Sequence, residues 1–502
     1  MQKLRIVSME TGNEKSSFSS TAQSVLNLQS NNWQWTIEDT LINRIEDAAL
    51  KGKILADQRI SVVRSISDAQ TLELANSWGV LFLHPGFQLA ANFVIEIEKH
   101  KSDFDFDLLY SDVQLLDVEN RKIGLWRRPH KCFERLLHHN YVSGAAVMSK
   151  DVVERACSEG AKSLHEIEHQ SICDVMARKG GVRHVFEPLV SVQRQLVVQD
   201  MLEPTASWLE QVTKSASSLG QGFVLAPGPT GNWVMRRLPK EKVSISIVIP
   251  TRGDKKRIWG IETDLIENVV QSLFQKSTNE EFEVIVVHDV NAAYGEHVDS
   301  LAQYGNRVKM VPYEKPFNFA DKCNVGALNS TAHIVVFLND DIEVIDPWWV
   351  DHLVGYLESS EVGAVGPVLL LDNGMVQSAG HVNQPLPANY YSGKPFGVKS
   401  FPEPLDIPCE VSGLTAACIA VRREVFDEVG GFCEDLPNNF NDVDFCLKIL
   451  ETGRSLIWTP LARLYHFETT TRVTTVTEEE TQFIKDRWGR TFGVDLYRSR
   501  ID

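Results

Sequence analysis

The second half of the chain alternates short apolar runs with amphipathic segments. The run VSISIVIP, from Val243 to Pro250, is apolar and β-branched, which is typical of a strand buried on both faces. In the next segment, DLIENVVQSLFQKS, apolar residues from Leu265 to Leu273 recur at one-face helical spacing. The run FEVIVVHD, which ends at Asp289, predicts a second buried strand. Together the three segments predict a βαβ unit with a right-handed crossover.

A third apolar run, from Ile334 to Leu338, leads directly into Asn339, Asp340 and Asp341. Strands that alternate with helices and carry ligand groups at their ends are typical of an open α/β sheet. The crevice of such a sheet lies outside the carboxyl ends of its strands. The predicted fold class is therefore α/β, and we expect the two carboxylates in the crevice.

The first 195 residues repeat this plan in a weaker form. The stretch WGVLFLHPGFQL parallels AHIVVFLNDDIEV, and YVSGAAVMSKDVV parallels EVSGLTAACIAVRREVF. The polar groups of the second copy are replaced in the first, where His84, Pro85 and Gly86 stand opposite Asn339, Asp340 and Asp341, Gln170 opposite Asp442, and Arg194 opposite His466. We expect no equivalent chemistry in the first copy, and an architectural or acceptor-positioning role instead.

Length and pattern together predict the domain boundaries. A chain of 502 residues exceeds the size at which one hydrophobic core keeps growing. We predict a first domain over 1–195, a connector over 196–242 and a second, catalytic domain over 243–502. Within the connector, ASWLEQVTKSASSLG predicts a helix stopped by Gly220, and FVLAPGPTGNWVMRRL predicts a hairpin.

Composition narrows the range of partners and compartments. The chain has 50 Lys and Arg against 67 Asp and Glu, a net charge of −17, which argues against a nucleic-acid partner. Its eight scattered cysteines form no C-x-x-C pair and predict reduced thiols. The sequence shows no signal-peptide pattern and no run of about 18 apolar residues. We predict a cytoplasmic protein, in which a lipid-linked acceptor would require contact with the inner face of the membrane.

Three groups are candidates for chemistry. Asp340 and Asp341 are hard oxygen ligands suited to Mg²⁺ or Mn²⁺, although a strand-end acid pair alone is more often a solvated turn or helix cap. Asp442 and Asp444 begin an amphipathic helix, where acids commonly cap the dipole; Asp442 is also placed to act as a general base. His466 ends a strand, either as a structural residue or as a neutral metal ligand.

Two loops have both a structural and a functional interpretation. The polar stretch FETTTRVTTVTEEE leads to a capping box, Thr477 to Glu480, and its Arg472 is placed to close over a diphosphate. The segment from Gln377 to Cys409 is rich in Pro, Gly and aromatic residues. Its aromatic rings suit either the binding of an acceptor sugar or the packing of the loop, and the sequence favours neither.

The ordered motifs of the chain resemble those of the glycosyltransferases of family 2. They are VSISIVIPTR, PFNFADKCNVGALN, VVFLNDDIEV, VSGLTAACIAVRREVFDEVGGF, FNDVDFCLKILETG and LYHFET, followed by RWG. The tandem-domain enzymes of O-antigen, capsule and rhamnan synthesis are especially similar. This resemblance implies two tandem GT-A-like domains, of the nucleotide-diphospho-sugar transferase, Rossmann-like type, with the first one degenerate.

The resemblance also implies roles for the strand ends. Pro250, Thr251 and Asp289 match the positions that hold the base and ribose of the donor nucleotide, and Asn324 matches a position that lines the nucleotide site. His288 departs from the family pattern, because an Asp is common there. The resemblance leaves open which carboxylate meets the base.

The same resemblance assigns the reacting groups. Asp340 and Asp341 match the DXD-like motif, with Asp341 as the metal ligand, and His466 matches a histidine of the metal shell. Asp442 matches the catalytic base, in the variant with Asn441 before it. These matches imply an inverting, metal-dependent displacement by an acceptor hydroxyl at the anomeric carbon of a nucleoside-diphosphate sugar.

The predicted function is therefore transfer of a sugar to a glycan or lipid-linked acceptor during bacterial surface polysaccharide synthesis. One alternative is a noncatalytic, nucleotide-sugar-binding scaffold of a polysaccharide assembly complex, which the degenerate first copy fits. Another is a nucleotidyltransferase, which would release pyrophosphate rather than nucleoside diphosphate. The donor sugar, acceptor, linkage and oligomeric state do not follow from the sequence.

Overall fold

The structure is a computed structural model of the chain. It describes all residues except 1, 11–17, 65–71, 73, 104, 162, 179, 198–207, 211, 215–222, 228–232, 280, 292, 384–385, 398–404, 469–475, 490, 492, 494, 496, 498–499 and 502. The chain forms two compact units, the first mainly from Met1–Gly220 and the second mainly from Gln221–Ser400 and Pro404–Tyr497. The division falls inside the predicted connector, and the boundaries at 195 and 243 stay predictions.

The first unit alternates strands and helices. In chain order its elements are β1 Lys3–Ser8, α1 Phe18–Leu26, β2 Trp33–Glu38, α2 Asp39–Asn43, α3 Ala48–Ala56, β3 Ile60–Val63, β4 Ser77–Leu83, β5 Gln88–Leu89, α4 Phe93–Asp103, β6 Leu108–Leu116, β7 Lys122–Arg127, α5 Phe133–His138, β8 Ala145–Ser149, α6 Lys150–Ser158, α7 Leu164–Ala177 and β9 Val182–Gln193.

The second unit follows the same alternation. In chain order its elements are β10 Phe223–Pro227, β11 Trp233–Arg237, β12 Ile245–Thr251, β13 Lys255–Ile258, β14 Ile261–Asp264, α8 Leu265–Lys276, β15 Phe282–Asp289, α9 Tyr294–Leu301, β16 Val308–Tyr313, α10 Phe319–Leu328, β17 Ile334–Leu338, β18 Ile342–Val344, α11 Trp349–Leu357, β19 Val362–Leu370, β20 Val376–Ser378, β21 His381–Asn383, β22 Pro387–Asn389, β23 Cys409–Glu410, β24 Cys418–Arg422, α12 Arg423–Glu428, α13 Asn441–Glu451, β25 Ser455–His466 and α14 Glu478–Trp488. A short last strand, β26 Arg500–Ile501, pairs with β7.

The two main sheets have the same strand order and directions. In the first unit the order is β3-β2-β1-β4-β8-β6-β9, and in the second it is β16-β15-β12-β17-β24-β19-β25. In both sheets the first three pairings are parallel, the next two antiparallel and the last parallel. The predicted α/β class is confirmed, and so is the repeat of one fold in two units.

Alternate residues of the central strand β12 explain why its sequence is apolar throughout. Ile247 and Ile249 pack in a core with Ile266 of α8, on one face of the sheet. Val248 packs in a second core with Cys323 of α10. Both faces of the strand are therefore buried, and burial of each aliphatic side chain stabilises the fold by about 1.5–3 kcal/mol. The predicted βαβ arrangement is present, because β12 and β15, which precede and follow α8 along the chain, pair in parallel.

The hairpin β13–β14 stands where the sequence predicts a direct passage from strand to helix. Its two-residue loop is Trp259 and Gly260, with φ of 51° and 84°. Two consecutive positive φ angles are those of a type I′ hairpin turn, which favours Gly at its second position. Trp259 packs edge-on against Tyr465 and Phe467, with ring centroids 5.3 and 5.6 Å away. The hairpin therefore lies against the end of β25.

The described residues also bear on the predictions about membrane-spanning helices, cysteines and the connector. Among those residues no helix is both long enough and apolar enough to cross a membrane. All eight cysteines are free thiols, as predicted, and five of them are buried. The predicted connector hairpin is observed as an antiparallel pair of β10 and β11. Gly220, predicted to stop the connector helix, lies outside the described residues.

Candidate functional site

The carboxyl ends of β12, β15 and β17 meet at one edge of the second sheet because these strands are parallel neighbours. Thr251 ends β12, and its hydroxyl donates a 2.6 Å hydrogen bond to a carboxylate oxygen of Asp340, just beyond β17. The same hydroxyl accepts a 2.9 Å hydrogen bond from the Gly253 amide. Pro250 precedes Thr251 and pairs in register with Val287 of β15. The structure thus brings three of the predicted residues to one edge.

Lys322 of α10 joins the ends of β12 and β15. Its side chain is fully buried, donates a 2.7 Å hydrogen bond to the Thr251 carbonyl and forms an ion pair with Asp289. Its Nζ atom also lies 5.0 and 5.1 Å from the ring centroids of Tyr313 and Phe317. Burial lowers the pKa of Lys322, and the charge of Asp289 opposes that shift. No prediction from the sequence included Lys322, because its only signal is its place between the apolar residues Ala320 and Cys323.

His288, which departs from the family pattern, contacts the Asp289 carbonyl and the ring of His297, and the role of Asp289 in binding the base stays a prediction. Its buried ring is 2.7 Å from a ring nitrogen of His297, which in turn lies 2.8 Å from Asp264. Successive strand residues point to opposite faces. Asp289 is therefore the residue that presents its carboxylate toward Lys322.

Asp341 and His466 form the second part of the site. The Nε2 atom of His466 lies 3.1 Å from a carboxylate oxygen of Asp341 and 3.3 Å from the Asn339 amide nitrogen. Burial alone would raise the pKa of Asp341, but the imidazole of His466 holds it below its usual value. Burial likewise opposes the proton on His466, but the charge of Asp341 raises the pKa of that imidazole. The structure therefore brings this sequence-predicted pair into direct contact.

The neighbouring carboxyl group behaves differently. Burial and the charge of Asp341 raise the pKa of Asp340 well above its usual range. Two adjacent carboxylates in a desolvated site repel each other, and a divalent cation would relieve that repulsion. The Nδ1 atom of His466 and the Oδ1 atom of Asn339 are also buried without a hydrogen-bond partner among the described residues. This oxygen and imidazole donor set fits Mg²⁺ or Mn²⁺.

Asp442 lies in the first turn of α13, where Phe440 precedes the helix with a φ of 57°. Its carboxylate accepts a 3.3 Å hydrogen bond from the Ala416 amide and lies 4.0 Å from Nε2 of His381. The side chain remains 21% exposed, so an incoming hydroxyl can reach it. The backbone carbonyl of Ala417, the residue after Ala416, accepts a hydrogen bond from the backbone amide of Asn339. The loop at 416–417 therefore contacts both Asp442 and the strand end that carries the acid pair.

Asp444 has a larger role than the predicted helix cap. It is fully buried and accepts hydrogen bonds of 2.9 Å from the Trp488 indole and 2.9 Å from Arg487. Lys448 lies 3.5 Å away. The carboxylate of Asp444 lies in the first turn of α13, as predicted, and it also holds the last turn of α14. These bonds also explain the RWG motif at the end of the domain.

The remaining predicted residues lie elsewhere. Asn324 bonds the backbone of Phe432 through both its amide nitrogen and its amide oxygen, and it also bonds Glu434. The structure therefore gives it a loop-holding role, and its predicted place in the nucleotide site stays a prediction. Arg472 lies outside the described residues. In the aromatic segment, Tyr391 and Phe396 pack against the core, which favours packing over sugar binding for these two rings.

Part of the second unit is similar to a known protein family. Residues 246–430 match the model of a family described as Glycosyl transferase family 2. Residues 246–430 of the second unit are therefore similar to the glycosyltransferases of family 2.

Longer matches extend over most of the chain. It is 26% identical, over 91% of its length, to "Uncharacterized protein y4gI" of Sinorhizobium fredii (strain NBRC 101917 / NGR234). It is 25% identical, over 88% of its length, to "O-antigen biosynthesis protein RfbC" of Myxococcus xanthus. The chain spans 53% of the first relative and 35% of the second. Among solved structures, that of GalNAc-T7 with UDP, GalNAc and Mn²⁺ is similar with a TM-score of 0.41 and 16% identity, over 52% of this chain and 51% of that one.

Proposed function

We propose that the second unit is a metal-dependent, inverting glycosyltransferase that uses a nucleoside-diphosphate sugar. The observation that carries the proposal is the close pair of Asp341 and His466, 3.1 Å apart, beside a second carboxylate whose pKa is raised by burial. The family 2 match over residues 246–430 supports the reaction class. A divalent cation bound by this set would stabilise the charge that develops on the leaving diphosphate.

The strand ends are proposed to bind the nucleotide. Asp289 is fixed by the buried Lys322, and Thr251 by its bonds to Asp340 and Gly253. Because β12 and β15 are held by backbone pairing, these side chains are positioned before a donor arrives. Such preorganisation lowers the entropic cost of binding. Arg472 remains a proposed diphosphate contact.

Asp442 is proposed as the general base. A carboxylate on the first turn of a helix, held by the Ala416 amide and partly exposed, can accept the proton of an acceptor hydroxyl as that oxygen attacks the anomeric carbon. A single displacement of this kind inverts the anomeric configuration. It needs no covalent nucleophile in the protein.

The acceptor is proposed to be a glycan or a lipid-linked oligosaccharide of surface polysaccharide synthesis. The printed name of the Myxococcus xanthus relative, an O-antigen biosynthesis protein, supports this context. A lipid-linked acceptor would place the reaction at the inner face of the cytoplasmic membrane. The choice between Mg²⁺ and Mn²⁺ belongs to the same proposal.

The test is release of nucleoside diphosphate from a panel of UDP-, GDP- and dTDP-sugars, with Mn²⁺ or Mg²⁺ and candidate acceptors. We expect one donor to give metal-dependent release that Asp341→Ala and Asp442→Asn abolish. The matched control is Asp372→Asn, which removes an exposed carboxylate of the same unit. Release of pyrophosphate would instead indicate nucleotidyl transfer. Binding of a donor without turnover, for any acceptor and metal, would favour a noncatalytic scaffold.

A further inference from the structure

Helix α7 of the first unit carries a second cluster of ligand side chains. Its sequence HEIEH places His165, Glu168 and His169 at positions i, i+3 and i+4, which lie on one helix face. One ligand atom from each residue lies within 4.8 Å of those of the other two. Glu168 is fully buried and His169 is 7% exposed. Three metal-ligating side chains are therefore gathered inside the first unit.

The hydrogen bonds around this cluster orient it. Nε2 of His165 lies 2.8 Å from the carbonyl oxygen of Glu10. A carbonyl only accepts, so this nitrogen carries the proton and the Nδ1 atom keeps its lone pair. Nε2 of His84 lies 2.7 Å from one carboxylate oxygen of Glu168. Imidazoles that bind a metal are commonly anchored through their other ring nitrogen, as the ring of His165 is here.

Two ligand atoms of the cluster are left unsatisfied. The Oε1 atom of Glu168 and the Nδ1 atom of His169 are buried without a hydrogen-bond partner among the residues that the structure describes. Leaving a buried polar atom unpaired costs about 1–3 kcal/mol, and more for a charged one. A purely hydrogen-bonded network would bear this cost twice, whereas a cation between the three side chains would satisfy both atoms.

The donor set indicates the kind of metal. Two imidazoles and one carboxylate suit Zn²⁺ better than Mg²⁺ or Ca²⁺, which prefer oxygen ligands only. Two histidines at i and i+4 of a helix, as in H-E-x-x-H, present both rings to one zinc ion. We propose that His165, Glu168 and His169 bind a Zn²⁺ ion in the first unit, with His84 orienting the carboxylate of Glu168.

The place of this site in the fold gives the first unit a role of its own. His84 follows β4, and its amide bonds the Gly144 carbonyl, just as the amide of Asn339 after β17 bonds the Ala417 carbonyl. His84, which contacts Glu168, therefore occupies the position in the first sheet that Asn339 occupies in the second. The ring of Trp208 covers the proposed zinc site edge-on, 4.8 Å from the ring of His169. All three proposed ligands belong to α7, and the contact of Glu168 with His84 connects this helix to the end of β4.

The test measures zinc directly and does not depend on glycosyl transfer. Untagged full-length protein carrying Asp341→Ala and His466→Ala, which removes the proposed metal site of the second unit, is equilibrated with Zn²⁺ and desalted. We expect about one zinc per chain by mass spectrometry, and a higher Tm with Zn²⁺ than with EDTA. Adding His169→Ala or the near-isosteric Glu168→Gln should weaken zinc affinity at least 100-fold in competition with a chromophoric chelator.

The matched control is His100→Ala, which removes an imidazole from α4 of the same unit and should leave zinc binding unchanged. Circular dichroism shows whether each variant is folded. If His169→Ala is not folded, Glu168→Gln is used instead. Substitution with Co²⁺ should give the visible absorption of a low-symmetry nitrogen and oxygen site. Less than 0.1 zinc per chain in the folded parent, or equal affinity in the folded parent and the Glu168→Gln variant, would overturn the proposal.

Discussion

The Nε2 atom of His466 lies 3.1 Å from a carboxylate oxygen of Asp341, and the backbone around them fixes this contact. His466 pairs in register with Ile342, the residue after Asp341, and the Phe467 amide donates a 3.0 Å hydrogen bond to the Asp341 carbonyl. The distance between the two side chains is therefore set by strand pairing.

This pairing predicts how His466→Ala will behave. If the imidazole binds the metal, its loss should raise the Mn²⁺ concentration needed for half-maximal turnover at least about tenfold, which corresponds to about 1.4 kcal/mol of binding free energy. Excess Mn²⁺ should restore much of kcat, because the carboxylates remain. The measurement is a Mn²⁺ titration of initial rates. An unchanged metal requirement together with a lower kcat would assign His466 to the chemical step instead.

Asp442 and Asp444, two residues apart on α13, should separate activity from stability. Asp442→Asn should lower kcat by about 10²–10⁴-fold, with little change in donor KM and in Tm, because it removes the proposed base. Asp444→Asn keeps an acceptor for Trp488 but breaks the charged contact with Arg487. We expect it to lower the free energy of unfolding by about 2 kcal/mol and to keep kcat within a few-fold of wild type.

Each variant of this pair is the control for the other, because the chemical change is the same and the helix is the same. Urea unfolding and steady-state kinetics are measured on both proteins. A loss of stability in Asp442→Asn with no separate effect on kcat would contradict the assignment of the base.

The central strands were predictable from sequence because burial on both faces leaves an uninterrupted apolar run. The repeat of the fold was predictable for the same reason, since the strands before His84 and Asn339 keep their apolar pattern while the following residues differ. The chemistry at those strand ends is visible as carboxylates only in the second unit. A search of the first unit for the same carboxylates therefore does not find the different ligand set of His165, Glu168 and His169.

Other features depend on distant contacts that no local pattern contains. Lys322 looks like a surface residue of an amphipathic helix, and only the nearby Asp289 and Thr251 carbonyl explain its burial. Asp444 looks like a helix cap until α14 packs beside it. The hairpin β13–β14 has a local signal, Trp259 followed by Gly260 in its turn, but its strands are short and polar.

His381 should tune the proposed base. Burial lowers the pKa of His381, which keeps the ring neutral near pH 7, and its Nε2 atom lies 4.0 Å from the carboxylate of Asp442. A neutral imidazole with its N–H toward a carboxylate favours the charged form of that carboxylate. In His381→Leu this support for the charged carboxylate is lost, and the acid limb of the kcat profile should move to higher pH.

The measurement is kcat from pH 5 to 8.5 for wild type and His381→Leu. On the plateau the two values should agree within about threefold, since the imidazole does not touch the substrate in this proposal. The exposed His333 provides the matched control, and His333→Leu should leave the limb in place. An acid limb that does not move in His381→Leu would show that the imidazole does not act through Asp442.

His139 should make the first unit sensitive to acid. Its ring is 2% exposed, and neither of its nitrogens has a hydrogen-bond partner among the described residues. Burial lowers the pKa of His139 well below 6.5, with a smaller contribution from the charge of Arg135. The unfolded state therefore binds a proton below pH 6.5 that the folded state does not. Stability is unaffected above that pH and falls as the pH decreases below it, by up to about 1.4 kcal/mol per pH unit.

His139→Leu should remove this sensitivity and raise stability near pH 7 by about 1 kcal/mol, because no polar nitrogen is then buried unpaired. The measurement is hydrogen exchange of peptides from residues 133–149 at pH 7.5, 6.5 and 5.5, corrected for intrinsic exchange rates. In wild type the protection of these peptides should decrease between pH 6.5 and 5.5, and in His139→Leu it should decrease less. Equal decreases in both proteins would mean that another group of the first unit takes up the proton.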